Sequence, residues 1–223
     1  MIFVICGKKR TGKDTAAKIL KETGEFSTFA FADNIKYILE EAGLKCGVIG
    51  FSNFKCDRLF WQGDREKPLL ASNQEVIRLF ATALEIMNNK GMIGSYDPDI
   101  PNELVLNTEL WTIRRLMQVF GTDIVCNQID KSVWVKLAIE NSFKPQNGKL
   151  SKHILFTDCR QTHEYKYMQR LGAKFIFLEK ETGEKDNHST ETGLIPGEDD
   201  YIIDNNGTLD QLKSNILNLI KSV

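Results

Sequence analysis

Apolar positions along this chain follow two alternating patterns. Residues 1–6 (MIFVIC), 27–32 (STFAFA), 153–158 (HILFTD), 174–180 (KFIFLEK) and 201–204 (YIID) are short runs rich in β-branched and aromatic residues. Unbroken runs of this length suit strands buried on both faces of a parallel sheet. Between them, apolar residues recur three and four apart, which predicts helices. These cover residues 13–23, 33–43, 73–91, 109–121, 123–143, 161–172 and 207–222. Asp33 is read as the cap of the second, with Gly43, Gly91 and Gly121 as helix ends.

Strands alternating with helices predict an α/β fold with a parallel sheet. The helical stretch from 73 to about 143 carries few strand signals and reads as an insertion. The expected organisation is one domain, with a core of 1–43 and 144–223 and a mostly helical insertion at about 44–143 on the substrate side. Residues 44–72 and 92–107 read as irregular. Residues 180–200 are polar and contain glycines, as expected of a mobile surface segment.

Composition narrows this little further. The chain has 223 residues, is 42% hydrophobic and carries a formal net charge of −1. A near-neutral balance with no basic, aromatic-interleaved stripe argues against nucleic acid as a partner and against an acidic membrane surface. Five cysteines without C-x-x-C spacing suggest buried thiols in a reducing compartment, hence a cytoplasmic protein without a zinc site. The six-residue apolar opening is too short for a signal-peptide core or a membrane span.

Chemistry concentrates first at residues 7–15, GKKRTGKDT, between the first strand and the first helix. The pattern G-x-x-x-x-G-K-[ST] is met by Gly7, Gly12 and Lys13, then broken by Asp14. Glycines at 7 and 12 let the backbone curl its N–H groups around a phosphate, and the following helix adds its positive end. Lys13 would reach the β- and γ-phosphates. Where a Ser or Thr usually serves Mg²⁺, Asp14 would hold the metal directly or through water, with Thr15 capping or donating to the α-phosphate. Lys8, Lys9 and Arg10 are either solvated charge or a further clamp on the transferred group.

Two other groupings stand out. On the predicted helix 109–121, about 100° per residue places Leu110, Ile113, Met117 and Phe120 on an apolar face, flanked by Trp111, Arg114, Arg115 and Gln118. The arginines suit a second phosphate, whereas a solvated, ion-paired face is the simpler account of this helix taken alone. In FTDCRQTHE, Asp158 closes a strand, where ligands gather in open α/β sheets. Arg160 and Glu164, four apart, are either part of that site or a surface ion pair. Neither His163 nor His188 has metal-ligand spacing.

Taken in order, GKKRTGKDT, RRLMQVFGTDIV, DKSVWVKL, TDCRQTHE, STETGLIP and DNNGTLDQL resemble the deoxynucleoside monophosphate kinases of tailed bacteriophages. The resemblance covers nearly the whole chain and is weakest over 44–107; G-K-D-T is that family's own variant. It implies an adenylate-kinase-like, three-layer P-loop fold that moves the γ-phosphoryl of MgATP to a dNMP, in the host cytoplasm. It further implies an active site lined by Lys13, Arg114, Arg115, Gln118, Gly121, Thr122, Trp134, Asp158, Arg160 and Glu164. ATP would meet Gly7, Arg10, Thr11, Gly12, Lys13, Asp14 and Thr15, and also Asn205 and Gly207 on the loop after the last strand. Trp134 is expected against the acceptor's base or sugar. The resemblance also implies a short lid at 180–200, although this segment lacks arginine, unlike the lids of adenylate kinases. The rivals are another small-molecule P-loop kinase of the phosphomevalonate-kinase type and a nucleotide-dependent ATPase switch. Spare apolar surface on the insertion is compatible with a homodimer.

Overall fold

The computed structural model describes residues 1–8, 10–47, 64–106, 109–145, 151–181 and 194–222. Lys9, much of the irregular stretch 44–72 and residues 182–193 of the expected lid lie outside these. Along the chain run β1 (Ile2–Cys6), α1 (Lys13–Glu22), β2 (Phe26–Phe29), α2 (Phe31–Cys46), β3 (Pro68–Leu69), α3 (Asn73–Asn89), α4 (Ile100–Leu104), β4 (Trp111–Thr112) and α5 (Ile113–Gln118). A π-helical stretch (Val119–Ile129), α6 (Val133–Ser142), β5 (His153–Phe156), α7 (Thr162–Arg170), β6 (Lys174–Glu179), β7 (Tyr201–Asp204) and α8 (Leu209–Ser222) follow. No described helix is long and apolar enough to cross a membrane.

The described residues form two compact units, Met1–Phe31 with Ala138–Val223, and Ala32–Leu137. The second unit takes in residues 32–43 as well as most of the expected insertion.

The first unit is built on a five-stranded parallel sheet in the order β2-β5-β1-β6-β7. Alternation along each strand separates two apolar faces. Phe3 and Ile5 of β1, Leu155 of β5, Ile176 and Leu178 of β6 and Ile203 of β7 join Ala16, Ile19 and Leu20 of α1 and Leu212 and Ile216 of α8 in one buried cluster. Fully burying side chains of this size stabilises the fold by about 2 kcal/mol each. The other face presents Phe175 and Phe177, against which Tyr165 of α7 packs with ring centroids 4.3 and 6.3 Å away. The chain leaves β1 toward β2 on one side, and leaves β6 toward β7 on the other. The loop after β1 thus lies at the crevice where connections diverge, the usual place for a ligand in such sheets.

The second unit is mainly helical. α3 starts at a capping box, in which the Ser72 hydroxyl accepts from Glu75 N–H and the Glu75 carboxylate accepts from Ser72 N–H. It ends as expected at Gly91, which has φ of +67°, and Met92 N–H reaches back to Met87 O at 2.9 Å. Residues 92–106 contain the short α4, started by Pro101 near its N-terminus.

Four local expectations are corrected. Gly43 does not end α2, which runs on to Cys46. Asp33 does not cap α2: the helix begins two residues earlier, and its first residue, Phe31, donates its N–H to Asp158 Oδ1 at 2.7 Å. The helix expected from 109 begins only at Ile113, because Trp111 and Thr112 pair antiparallel with Leu69 and Pro68. Leu110 is consequently 70% exposed, while Ile113, Met117 and Phe120 are buried. Nor does Gly121 end a helix. The chain continues through it in wider turns, closed by Asp130 N–H reaching back five residues to Val125 O at 2.9 Å.

Candidate active site

Gly7 and Gly12 both hold backbone conformations that side chains resist. Gly7 has φ of +148°, and an added Cβ would stand 2.6 Å from Thr11 Oγ1 and 2.7 Å from Leu178 O. Gly12 has φ of +95°, and its Cβ would fall on the Asn205 side-chain nitrogen. Arg10, exposed between them, also has positive φ, +63°. A loop so curled can gather backbone N–H groups around a phosphate.

The carbonyls have identifiable partners. Lys8 O accepts from the Thr11 hydroxyl at 2.9 Å and from Lys13 Nζ at 2.6 Å, and Gly7 O accepts from Lys13 Nζ at 2.7 Å. Thr11 O accepts from Asn205 Nδ2 at 2.8 Å. Thr11 is 1% exposed, so its hydroxyl braces the loop from within. α1 starts at Lys13 and places Asp14 and Thr15, both exposed, in its first turn. A carboxylate and a hydroxyl there are chemically fit to share a hard cation with phosphate oxygens. Among the described residues no cluster of three or more His, Cys, Asp or Glu could hold a metal by itself.

The loop after β5 lies beside this one because β5 and β1 are paired neighbours. Asp158 sits two residues past the strand end and accepts the Phe31 N–H described above. Glu164 is 9% exposed and accepts from the N–H groups of Arg160 at 2.8 Å and Gln161 at 2.9 Å. The surface ion pair considered for Arg160 and Glu164 is therefore corrected: the carboxylate faces inward as the cap of α7, and its bond to Arg160 is through the main chain. Burial pushes the Glu164 carboxyl up to about 7, with the Asp158 charge adding to the shift and the two N–H bonds opposing it. The Arg160 side chain is exposed. Cys159 and Cys6 are both buried, and the neighbouring Cys6 thiol together with burial raises the Cys159 pKa.

Past β7, Asn205 is only 8% exposed, with its amide committed to Thr11, so it serves the loop. Gly207 is exposed, and a Cβ there would strike the Gln211 side chain.

In the second unit, α5 carries Arg114, Arg115 and Gln118. Thr112 caps it, its hydroxyl accepting from Arg115 N–H at 3.2 Å. The two arginines differ. Arg115 lies over the Trp111 ring, 4.5 Å from its centroid, donates to Leu110 O and pairs with Glu109. Arg114 pairs through Nε with the exposed Glu66 and donates its main-chain N–H to Arg65 O. Gln118 is exposed and Thr122 half-buried. Trp134 is 4% exposed, packs on Phe120 and donates Nε1–H to Gly121 O at 2.9 Å. Its placement does not support the expected contact with an acceptor, since ring and donor are both committed to the core.

Sequence reasoning did not find the Asp158 cap on α2, the Asn205 tie or the Arg115–Trp111 stack. For the stack, the i,i+4 spacing of Trp111 and Arg115 was an available signal. The other two join positions 127 and 194 residues apart and leave no local trace.

Comparison with known proteins identifies the family. A family profile described as deoxynucleotide monophosphate kinase matches residues 1–216. A deoxynucleotide monophosphate kinase of Escherichia phage RB69 is 31% identical over 245 residues, covering 99% of each chain. That of Enterobacteria phage T4 is 31% identical over 242 residues, covering 99% of this chain and 98% of its own. The profile match over nearly the whole chain and the two relatives aligned almost end to end place the chain in the deoxynucleotide monophosphate kinase family.

Proposed function

We propose that this protein transfers the γ-phosphoryl group of ATP to a deoxynucleoside monophosphate, giving the diphosphate and ADP. The observation that carries the reading is the loop from Gly7 to Lys13, in which the carbonyls of Gly7, Lys8 and Thr11 are pinned and both glycines hold positive φ ahead of the start of α1. An acceptor phosphate oxygen attacks the γ-phosphorus, and the bond from that phosphorus to the bridging oxygen of ADP breaks. Charge spreads over the equatorial oxygens in the transition state, so cations and N–H donors supply most of the catalysis.

Lys13 would exchange one loop carbonyl for a γ-phosphate oxygen, carrying its charge to the group in transit. Loop N–H groups and the start of α1 would hold the β-phosphate. Asp14 and Thr15 would hold Mg²⁺, which would supply further positive charge against the negative charge of the phosphates. Arg114 would leave Glu66 for the acceptor phosphate, with Gln118 and Thr122 beside it. Arg160, on the loop after β5, would add positive charge, and Asp158 and Glu164 would fix that loop's shape. The proposed setting is a cytoplasm, that of the host if the protein is phage-encoded. A homodimer is proposed from the exposed Leu70, Leu106 and Leu110 of the second unit, to be checked by light scattering.

The test is to follow ADP and dNDP formation from MgATP with each of the four dNMPs and their ribose counterparts, alongside Lys13→Ala. Turnover that falls by orders of magnitude in a folded mutant is the expected result. ATP binding without any dNDP would mean that the acceptor is wrong, and phosphomevalonate-type acceptors would be tried next.

A further inference from the structure

Asn205 is a buried polar residue at the end of the sheet's edge strand, and its bonds all run inward. Its main-chain N–H reaches Glu179 O at 2.8 Å, continuing the pairing of β6 with β7. Its side-chain nitrogen crosses to Thr11 O at 2.8 Å. The neighbouring Asn206 holds the same turn, donating to Asp204 Oδ1 and accepting from Glu181 N–H.

A planar trans peptide points its C=O and N–H in opposite directions. Thr11 C=O and Gly12 N–H belong to one such unit, and no peptide in the described chain is cis. Drawing Thr11 O toward Asn205 therefore turns the Gly12 N–H away from Asn205. Gly12 also owes its lack of a side chain partly to this contact, because a Cβ at position 12 would lie on the Asn205 nitrogen. Loop and amide fit only as a pair.

We infer that Asn205 is a positioning residue of the phosphate loop: it orients the Thr11–Gly12 peptide so that the Gly12 N–H is presented to a nucleotide's phosphates, and it does not read the adenine. The inference rests on the phosphate-site reading above. It distinguishes two roles that the loop after β7 could serve, since a base contact and a loop clasp respond differently to a ligand without a base.

The experiment is isothermal titration calorimetry of ATP, GTP and inorganic tripolyphosphate, each with Mg²⁺, on the unmodified protein, Asn205→Asp and Asn205→Ala. Asn205→Asp keeps the shape but sets a carboxylate oxygen against the Thr11 carbonyl, whereas Asn205→Ala only deletes the donor. Both should weaken ATP and tripolyphosphate by the same factor, about tenfold for Ala and more for Asp. The ATP-to-GTP ratio should not change, nor the KM for dNMP at saturating ATP. Weaker ATP with unchanged tripolyphosphate would overturn the inference in favour of an adenine contact. Unchanged binding of both would show the clasp to be idle, and loss of cooperative unfolding in both variants would make the residue purely structural. Failure of the unmodified protein to bind either ligand would remove the phosphate site itself, and the clasp with it.

Discussion

The indole nitrogen of Trp134 donates to the carbonyl of Gly121 at 2.9 Å inside the second unit. The family resemblance implies both residues in the active site and Trp134 against the acceptor, yet this bond makes Trp134 a support for the wide helical turn that carries Thr122. Trp134→Phe keeps most of the apolar volume and leaves a buried carbonyl without its donor, at a cost of about 1–3 kcal/mol. The midpoint of urea unfolding should fall accordingly, with the KM for dNMP changed less than twofold. A large rise in that KM without loss of stability would restore the acceptor contact.

Gly121 meets Ile35 on its other side, where an added Cβ would come 2.6 Å from Cδ1 and 3.4 Å from Cγ1. Gly121→Ala should therefore destabilise by about 1–3 kcal/mol, as overpacking does. Ile35→Val removes the offending methyl, so the double variant should recover part of the loss. Strict additivity in the double-mutant cycle would mean that the two side chains do not compete for one space.

These contacts show which features the chain makes legible locally. Strand β1, the loop glycines and the start of α1 could be read from residues 1–22, because an apolar run and two forced glycines leave little choice there. Ser72 and Glu75 likewise announce the start of α3. The stretch 109–129 was misread for a tertiary reason. Trp111 and Thr112 are drawn into pairing with Pro68 and Leu69, and Gly121 is needed against Ile35, so a residue that normally stops a helix sits inside one. Asp158 looked catalytic by its place in the sequence; one of its oxygens is spent on the first N–H of α2.

Arg114 and Arg115 are adjacent in sequence and should separate in function. Arg115 is stacked on Trp111 and its side chain is only 15% exposed, whereas Arg114 is held by a Glu66 that is itself exposed. Arg114→Ala should raise the KM for dNMP at least tenfold while the melting temperature stays nearly constant. Arg115→Ala should instead cost about 1 kcal/mol of stability by losing the cation–π contact and its packing. Equal kinetic damage from both, with neither destabilised, would place both guanidinium groups on the acceptor.

Glu164 gives stability a pH dependence whose sign can be worked out. Its carboxyl titrates near 7 in the folded protein against 4.5 as the ordinary value, so between those two pH values the folded state binds more protons than the unfolded one. Stability must then decrease as pH rises from about 4.5 to about 7, by up to about 3 kcal/mol from this group. His153 acts in the opposite direction. It is 4% exposed, its Nδ1 lacks a partner among the described residues, and burial pushes its pKa below 6.5. Stability from His153 is present above pH 6.5 and is lost on acidification below it. Measuring unfolding free energy from pH 5 to 8 for the unmodified protein and Glu164→Gln isolates the carboxyl, because the histidine contribution is common to both. The amide oxygen of the glutamine can still accept the Arg160 and Gln161 N–H groups. The difference between the two proteins should therefore swing in favour of Glu164→Gln as the pH rises. A pH-independent difference would mean that those two N–H bonds hold Glu164 ionised across the whole range despite its burial.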